Sequence, residues 1–204
     1  VKNGETIHFL KDIDEDVTIK QTKGLSFTID GDDHKYTGSM TIDGDKRSNG
    51  AETLTVTDID FVAADQLQSS ISTKKSTYAH NITVDDCTFT GIYAGENTAY
   101  GMVLRHAYNI TVKNTTGTGL LDIVYANTAV TGFTAENVTV TDSVNGFYMT
   151  YGSDVKFDKV NLVVSNIGIY LTNNNGTTTA TITNSTINAA KPIVVNEVAN
   201  KTYT

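Results

Sequence analysis

The sequence predicts an all-β solenoid, in which short strands of one chain stack coil upon coil. Six segments share a pattern of two apolar residues that alternate with polar ones, closed by Asp or Asn. The closing residues are Asp58, Asp86, Asn114, Asp142, Asn166 and Asn184, and the first three lie 28 residues apart. A repeat of roughly 20 to 50 residues is typical of solenoids. The 204 residues fit one domain, which we assign to residues 1–204.

The composition agrees with a stack of strands and tight turns. Thr and Asn are abundant beside Val and Ile, and Pro occurs once. Thr and β-branched residues suit a pleated, half-buried surface, while Asn suits turns. Collagen-like and disordered compositions are both excluded.

Weaker units of the same kind open the chain, at 17–19, 27–29 and 40–42. Residues two apart in a strand share a face, so the apolar residues point inward and the Thr between them points outward. The predicted outward threonine ladder consists of Thr18, Thr28, Thr41, Thr55, Thr83, Thr111, Thr139 and Thr181, interrupted by Val163. The Asp and Asn residues form a turn ladder beside it.

A second strand follows in each later coil. These strands read 102–105, 121–124, 147–150 and 169–172, and Gly101, Gly146 and Gly168 stand before three of them. A glycine at that point fits a bend between two sheets. The insertions 63–77 and 93–100 are expected to loop away from the body of the solenoid.

The segments Asn81-Ile-Thr-Val, Asn109-Ile-Thr-Val and Asn137-Val-Thr-Val, with Gly-Phe-Tyr and Gly-Ile-Tyr second strands, carry a resemblance. The chain resembles right-handed parallel β-helix proteins of the pectin-lyase-like superfamily, which includes pectin and pectate lyases, polygalacturonases, phage tailspikes and bacterial surface proteins. Its opening, Gly4 to Asp45, is similar to the first coils of secreted or surface-attached proteins of gut bacteria. The resemblance implies a single right-handed parallel β-helix of about seven to nine coils. It leaves the activity open, because one fold hosts many functions.

The second strands carry the best candidate binding residues. In the simplest alignment Val103, Asp122, Tyr148 and Tyr170 form one outward column, and Arg105 opens the next column. Tyrosine offers an apolar ring with a polar tip, which suits a sugar ring, and Arg and Asp bond hydroxyl or carboxylate groups. We therefore predict a ligand-binding cluster of Arg105, Asp122, Tyr148 and Tyr170. A solvated sheet face rich in Tyr and Thr is the alternative.

Catalytic residues are not predicted. The resemblance implies clustered Asp with an Arg or Lys base for lyases, or Asn-Thr-Asp, Gly-His-Gly and Arg-Ile-Lys segments for hydrolases, and these three segments are absent. Asp85 and Asp86 form a pair in a repeat strand, but alternation turns them different ways. His106 lacks an orienting carboxylate, and the single cysteine, Cys87, fits a small core residue.

Metal and cofactor sites are likewise not predicted, although Ca²⁺ remains an option. The acidic runs Asp12 to Asp16 and Asp30 to Asp33 offer oxygen ligands but lack the spacing of a calcium loop.

The formal net charge of −8 and the lack of a dense basic stretch argue against nucleic-acid binding. No apolar run approaches the roughly 20 residues of a membrane span. Val1 is a poor natural start, so we expect that a leader has been removed, and the absence of a signal peptide says nothing about export. The resemblance to secreted and surface-attached proteins implies an extracellular or cell-surface location. The favoured function is a carbohydrate-binding or adhesive surface module without catalysis, with a glycan or surface polysaccharide as partner. A polysaccharide lyase or glycoside hydrolase is the first alternative, and a structural stalk is the second.

Overall fold

The chain forms a parallel β-solenoid of about seven turns in the computed structural model, which confirms the predicted fold class. The structure describes residues 1–46, 50–92, 98–173 and 179–197. The strands are β1 (Thr6–His8), β2 (Val17–Lys20), β3 (Phe27–Tyr36), β4 (Met40–Asp43), β5 (Leu54–Ala63), β6 (Ser69–Thr73), β7 (Ala79–Asp85), β8 (Thr88–Gly91), β9 (Tyr100–Thr118), β10 (Asp122–Met149), β11 (Gly152–Ser153), β12 (Val155–Asp158), β13 (Asn161–Asn173), β14 (Ala180–Thr183), β15 (Thr186–Asn188) and β16 (Lys191–Glu197). Within the described ranges, no helix is long and apolar enough to cross a membrane.

Each complete turn of the solenoid has three faces instead of the two expected. Face 1 stacks β1, β7, β12 and β14 with the matching parts of β3, β5, β9 and β10. Face 2 stacks β8 and β15 with later parts of β3, β5, β9 and β10 and the start of β13. Face 3 stacks β2, β4, β6 and β16 with the start of β9, both ends of β10 and the end of β13. All these strand pairs are parallel.

The threonine ladder of face 1 differs in part from the predicted one. Its column reads Thr6, Thr28, Thr55, Thr83, Thr111, Thr134, Lys156 and Thr181. Thr18 and Thr41 pair on face 3, and Thr139 and Val163 lie on face 2. The true counterpart of 110–113 on face 1 is 133–136. The alignment chose 138–141 instead, because that segment of face 2 repeats the sequence pattern more closely.

The turn ladder between faces 1 and 2 is corrected in the same way. Its residues are Asp58, Asp86, Asn114, Asn137, Lys159 and Asn184, with φ between 49° and 53°. Asn137 and Lys159 take the places expected for Asp142 and Asn166. The Asn137 Nδ2 donates to Asn114 Oδ1 over 2.9 Å, so amide groups satisfy one another along the corner. Asn and Asp tolerate this left-handed conformation better than other non-glycine residues.

The core runs the length of the stack. Tyr36, Phe61 and Phe89 occupy successive inward positions, with ring centroids 5.6 and 4.9 Å apart. Full burial of one such aromatic side chain stabilises a fold by about 2 kcal/mol. Cys87 is 1% exposed, as its predicted role as a small core residue requires. Burial raises the pKa of the Cys87 thiol to about 12, which suppresses the reactive thiolate.

The expectation that 63–77 loops away from the body was wrong. This segment contains β6, which pairs with β4 and β9 on face 3, and its Ile71 is fully buried. In the second expected insertion, 93–97 lies outside the described residues, and Tyr100 begins β9.

Candidate functional site

Face 3 carries the predicted binding residues, in a register that differs from the expected one at Asp122. Val103 pairs with Tyr125, whereas Asp122 pairs with Tyr100. The sequence alignment began this strand at Leu121, three residues too early, because Leu121 and Ile123 alternate as plausibly as Val124 and Ala126 do. Tyr125 therefore occupies the outward place that had been assigned to Asp122.

The corrected register brings Tyr125, Tyr148 and Tyr170 together on successive coils, and the ring of Tyr100, which pairs with Asp122, stacks on Tyr125 from the preceding coil. We call Tyr100, Tyr125, Tyr148 and Tyr170 the tyrosine ladder. The ring centroids of Tyr100 and Tyr125 are 5.6 Å apart at 21°, and those of Tyr148 and Tyr170 are 4.3 Å apart at 8°. All four side chains are half-buried. The ladder thus consists of two stacked pairs.

The two pairs meet at a steep angle. Tyr125 and Tyr148 have centroids 5.9 Å apart and ring planes inclined by 65°. In such an edge-to-face contact, the ring that presents its edge keeps its face uncovered by the other ring. At the junction between Tyr125 and Tyr148, one ring face is therefore not covered by the neighbouring ring.

A shallow groove of about 230 Å³ opens beside this junction. Tyr100, Leu121, Asp122, Tyr125, Asn145 and Tyr148 line it. Asp122 is only 4% exposed and Asn145 is 6% exposed, so both polar groups lie at the floor of the groove. The groove combines tyrosine rings with one buried carboxyl group.

A chain of hydrogen bonds that spans three coils holds the carboxyl group of Asp122. The Asn145 Nδ2 donates to Asp122 Oδ1 over 3.0 Å. The Asn145 Oδ1 in turn accepts from Asn166 Nδ2 at 3.0 Å and from the Ile167 amide at 3.1 Å. These two donors fix the orientation of the Asn145 amide, so that its N–H points at Asp122.

Burial has the largest effect on the pKa of the Asp122 carboxyl group. It raises the pKa of Asp122 to about 7, against the opposing effect of the hydrogen bond from Asn145. Burial, and next the charge of Asp122, raises the pKa of Tyr100. The pKa of Tyr148 is raised by burial, then by Tyr170, and also by Asp122. The carboxyl group is thus electrostatically close to two rings of the ladder.

Arg105, the fourth predicted residue, does not line the groove. It pairs with Thr128, and both its backbone N–H and its carbonyl bond the Thr73 hydroxyl, at 2.6 and 2.8 Å. Its neighbour His106 bonds the Lys75 carbonyl through Nδ1 at 2.7 Å. The structure therefore brings Asp122 and Tyr148 together in the groove and stacks Tyr170 on Tyr148, but Tyr170 and Arg105 do not line the groove.

Sequence reasoning missed Tyr100, Tyr125 and Asn145. The signal was present, because Tyr100, Tyr125, Tyr148 and Tyr170 recur every 22 to 25 residues. The two later intervals, of 23 and 22 residues, match the coils of this part of the solenoid, such as the 22 residues between Thr131 and Ser153 on paired strands, whereas the 25 residues from Tyr100 to Tyr125 exceed the 22 from Tyr100 to its paired residue Asp122.

The other candidate groups have structural partners. Burial raises the pKa of Asp85, but bonds from Lys113 at 2.9 Å and Asn114 at 2.8 Å outweigh it and leave the pKa lowered. Asp86 is exposed at the turn ladder. In the early acidic runs, Asp12 accepts from the Lys35 amide and Asp30 from the Asp32 amide. Among the described residues, no three His, Cys, Asp or Glu side chains converge to form a metal site.

Comparison with protein-family models, with curated proteins and with solved structures found no match to this chain. The fold itself defines the chain as a parallel β-solenoid. Function is therefore inferred from the geometry of face 3.

Proposed function

We propose that this chain is a carbohydrate-binding or adhesive module of an exported bacterial surface protein of the pectin-lyase-like kind, and that it binds glycans on face 3 without catalysis. The observation that carries the proposal is the tyrosine ladder beside a groove with a buried carboxyl group. The partner is a host or bacterial surface polysaccharide, encountered outside the cell or at its surface.

The ladder suits an extended glycan that lies along the solenoid axis. Adjacent coils are about 4.8 Å apart, so the tyrosines repeat along the axis at a fixed pitch. The uncovered ring face at the Tyr125 and Tyr148 junction can pack on the apolar face of a sugar ring. The tyrosine hydroxyls and the carboxyl group of Asp122 can bond sugar hydroxyl groups.

Binding without catalysis is favoured by the single carboxyl group of the groove. Glycoside hydrolases use two carboxyl groups, roughly 5 to 10 Å apart, as acid and as nucleophile or base. Asp122 is the one acidic side chain among the described residues that line the groove. The raised pKa of Asp122 nevertheless fits a general acid, so a polysaccharide lyase or glycoside hydrolase is the second candidate.

A glycan array with the purified chain, followed by analysis of the bound glycans for cleavage, tests this proposal. We expect binding that Tyr148→Ala and Tyr170→Ala each weaken by about fivefold or more, because the stacking of a nucleic-acid base on an aromatic ring, a comparable contact, contributes on the order of 1–3 kcal/mol. Tyr108→Ala is the matched control, since Tyr108 is half-buried and packs on Tyr78 at 5.9 Å, away from the ladder. Shortened or unsaturated glycans would establish an enzyme. Absence of binding to every glycan would leave the structural stalk as the function.

A further inference from the structure

Asp122 is a carboxyl group at a place where the fold requires only a hydrogen-bond acceptor. One coil further along, the Asn145 Oδ1 accepts two N–H donors, at 3.0 and 3.1 Å. An amide oxygen thus meets the same demand in the neighbouring coil. Asn at position 122 could accept the Asn145 Nδ2 in the same way, without the free-energy cost of burying an ionisable group.

The second carboxylate oxygen is the atom that an amide would not supply. Among the described residues, the Asp122 carboxyl group makes one hydrogen bond, which Oδ1 accepts from Asn145 Nδ2. Asp122 also lines the groove, so its carboxyl group is available to a ligand there. A hydrogen-bond donor that reaches this unused carboxylate oxygen stabilises the buried group, and a positively charged donor stabilises it most.

The surroundings of Asp122 favour a positively charged ligand group. Described lining residues of the groove include three tyrosines and no Lys, Arg or His. Tyrosine rings attract cations through their negative faces. The chain carries a formal net charge of −8, which also favours cations over anions at its surface. Anionic sugars would meet Asp122 without a balancing cation in the groove.

We infer that Asp122 selects glycans with a free amino sugar, whose ammonium group sits over the carboxylate between the ladder tyrosines. This inference rests on the proposed glycan binding at face 3 and names its ligand class. It also assigns Asp122 a role in specificity, distinct from the role of the tyrosines in packing against sugar rings.

Calorimetric titration with glucosamine oligomers and with N-acetylglucosamine oligomers of the same length tests the inference, in one low-salt buffer near neutral pH. We expect the wild-type chain to bind the amine form about tenfold more tightly, since hydrogen bonds to charged groups contribute about 1.5–3 kcal/mol. Asp122→Asn should bring the two affinities within about twofold of each other by weakening the binding of the amine form.

Asp86→Asn is the matched control for general attraction between a polycation and an acidic chain. It removes the same charge from an exposed turn-ladder position, where the next coil carries Asn114. This variant should keep the tenfold preference. Loss of the preference in both variants, or its survival in Asp122→Asn, would overturn the inference. Tyrosine-dependent binding with equal affinity for both oligomers would overturn it as well, while leaving the proposed glycan binding intact.

Discussion

Burial of the Asp122 carboxyl group raises its pKa to about 7 from an ordinary value of 3.8, and this couples the stability of the chain to pH. The folded state holds the proton where the unfolded state has already lost it. The free energy of unfolding should therefore fall as the pH rises from about 4 to 7, and then level off. At roughly 1.4 kcal/mol per pKa unit, the full effect is about 4 kcal/mol.

Asp122→Asn should remove this dependence, because the amide accepts the same bond from Asn145 and does not titrate. We expect similar stabilities for the two chains below about pH 3, where the wild-type carboxyl group is protonated in both states, and a variant that is more stable by up to about 4 kcal/mol above pH 7. Urea denaturation across this pH range measures the difference. Parallel stability curves for the two chains would show that Asp122 is not held protonated by burial.

Lys159 shows how a single element tolerates an unfavourable residue. It occupies the turn ladder between β12 and β13 with φ of 53°, while Asn137 and Asn184 hold the equivalent positions in the flanking coils. A left-handed conformation costs an ordinary residue about 1–2 kcal/mol, and Asn less. The turn ladder therefore keeps its left-handed backbone conformation at Lys159, although lysine disfavours that conformation.

Lys159→Asn should stabilise the chain by about 1 kcal/mol, which is a rise of a few degrees in melting temperature for a domain of this size. Lys156→Asn serves as the control, because Lys156 is an exposed strand residue of β12 without a left-handed backbone. Thermal melts of the wild-type chain and the two variants test this prediction. Equal melting temperatures for both variants would argue that the corner at Lys159 is not strained.

At the level of the strands, the sequence was sufficient for the fold class but not for the register. Alternation identifies a strand, yet it does not say to which of three faces the strand belongs. Segment 138–141 on face 2 has the sequence Val-Thr-Val-Thr, which resembles the Ile-Thr-Val of 110–112 more closely than the Phe-Thr-Ala-Glu of the true counterpart 133–136 does, so it displaced that counterpart in the alignment. Strands of all three faces bury apolar residues at alternate positions, so alternation alone does not assign a strand to its face.

The same ambiguity separated the candidate site from its full set of residues. Tyr148 and Tyr170 were recognised because Phe147 and Ile169 mark their strand clearly, and the structure pairs them directly. Asp122 was chosen for an outward place that Tyr125 occupies, and its buried position in the groove depends on packing between coils. Contacts between residues that lie 22 to 25 positions apart can be predicted only when the length of each coil is known.

As a whole molecule, a solenoid is a nearly one-dimensional stack in which each coil contacts its two neighbours. Thr134 pairs with Lys156 on face 1, so deletion of residues 134–155 removes one complete coil and joins matching positions. The coil below and the coil above would then meet with apolar residues facing inward at Val112 and Phe157.

The deletion variant should remain soluble and rich in strand by circular dichroism, with a lower melting temperature because one coil of the core is lost. It lacks Asn145 and Tyr148, so it should also lose glycan binding. A variant that lacks strand signal altogether would mean that the coils do not stack as independent units.

The central claim is that face 3, and the tyrosine ladder in particular, is the surface that contacts a glycan. Its most direct test is nuclear magnetic resonance chemical-shift mapping of the labelled chain, titrated with the oligosaccharide that binds best on the array. We expect shifts that cluster on face 3, with little change at the threonines of face 1. The residues concerned are Tyr100, Asp122, Tyr125, Asn145, Tyr148 and Tyr170. Shifts that cluster on face 1 or face 2, with the ladder resonances unmoved, would contradict this claim.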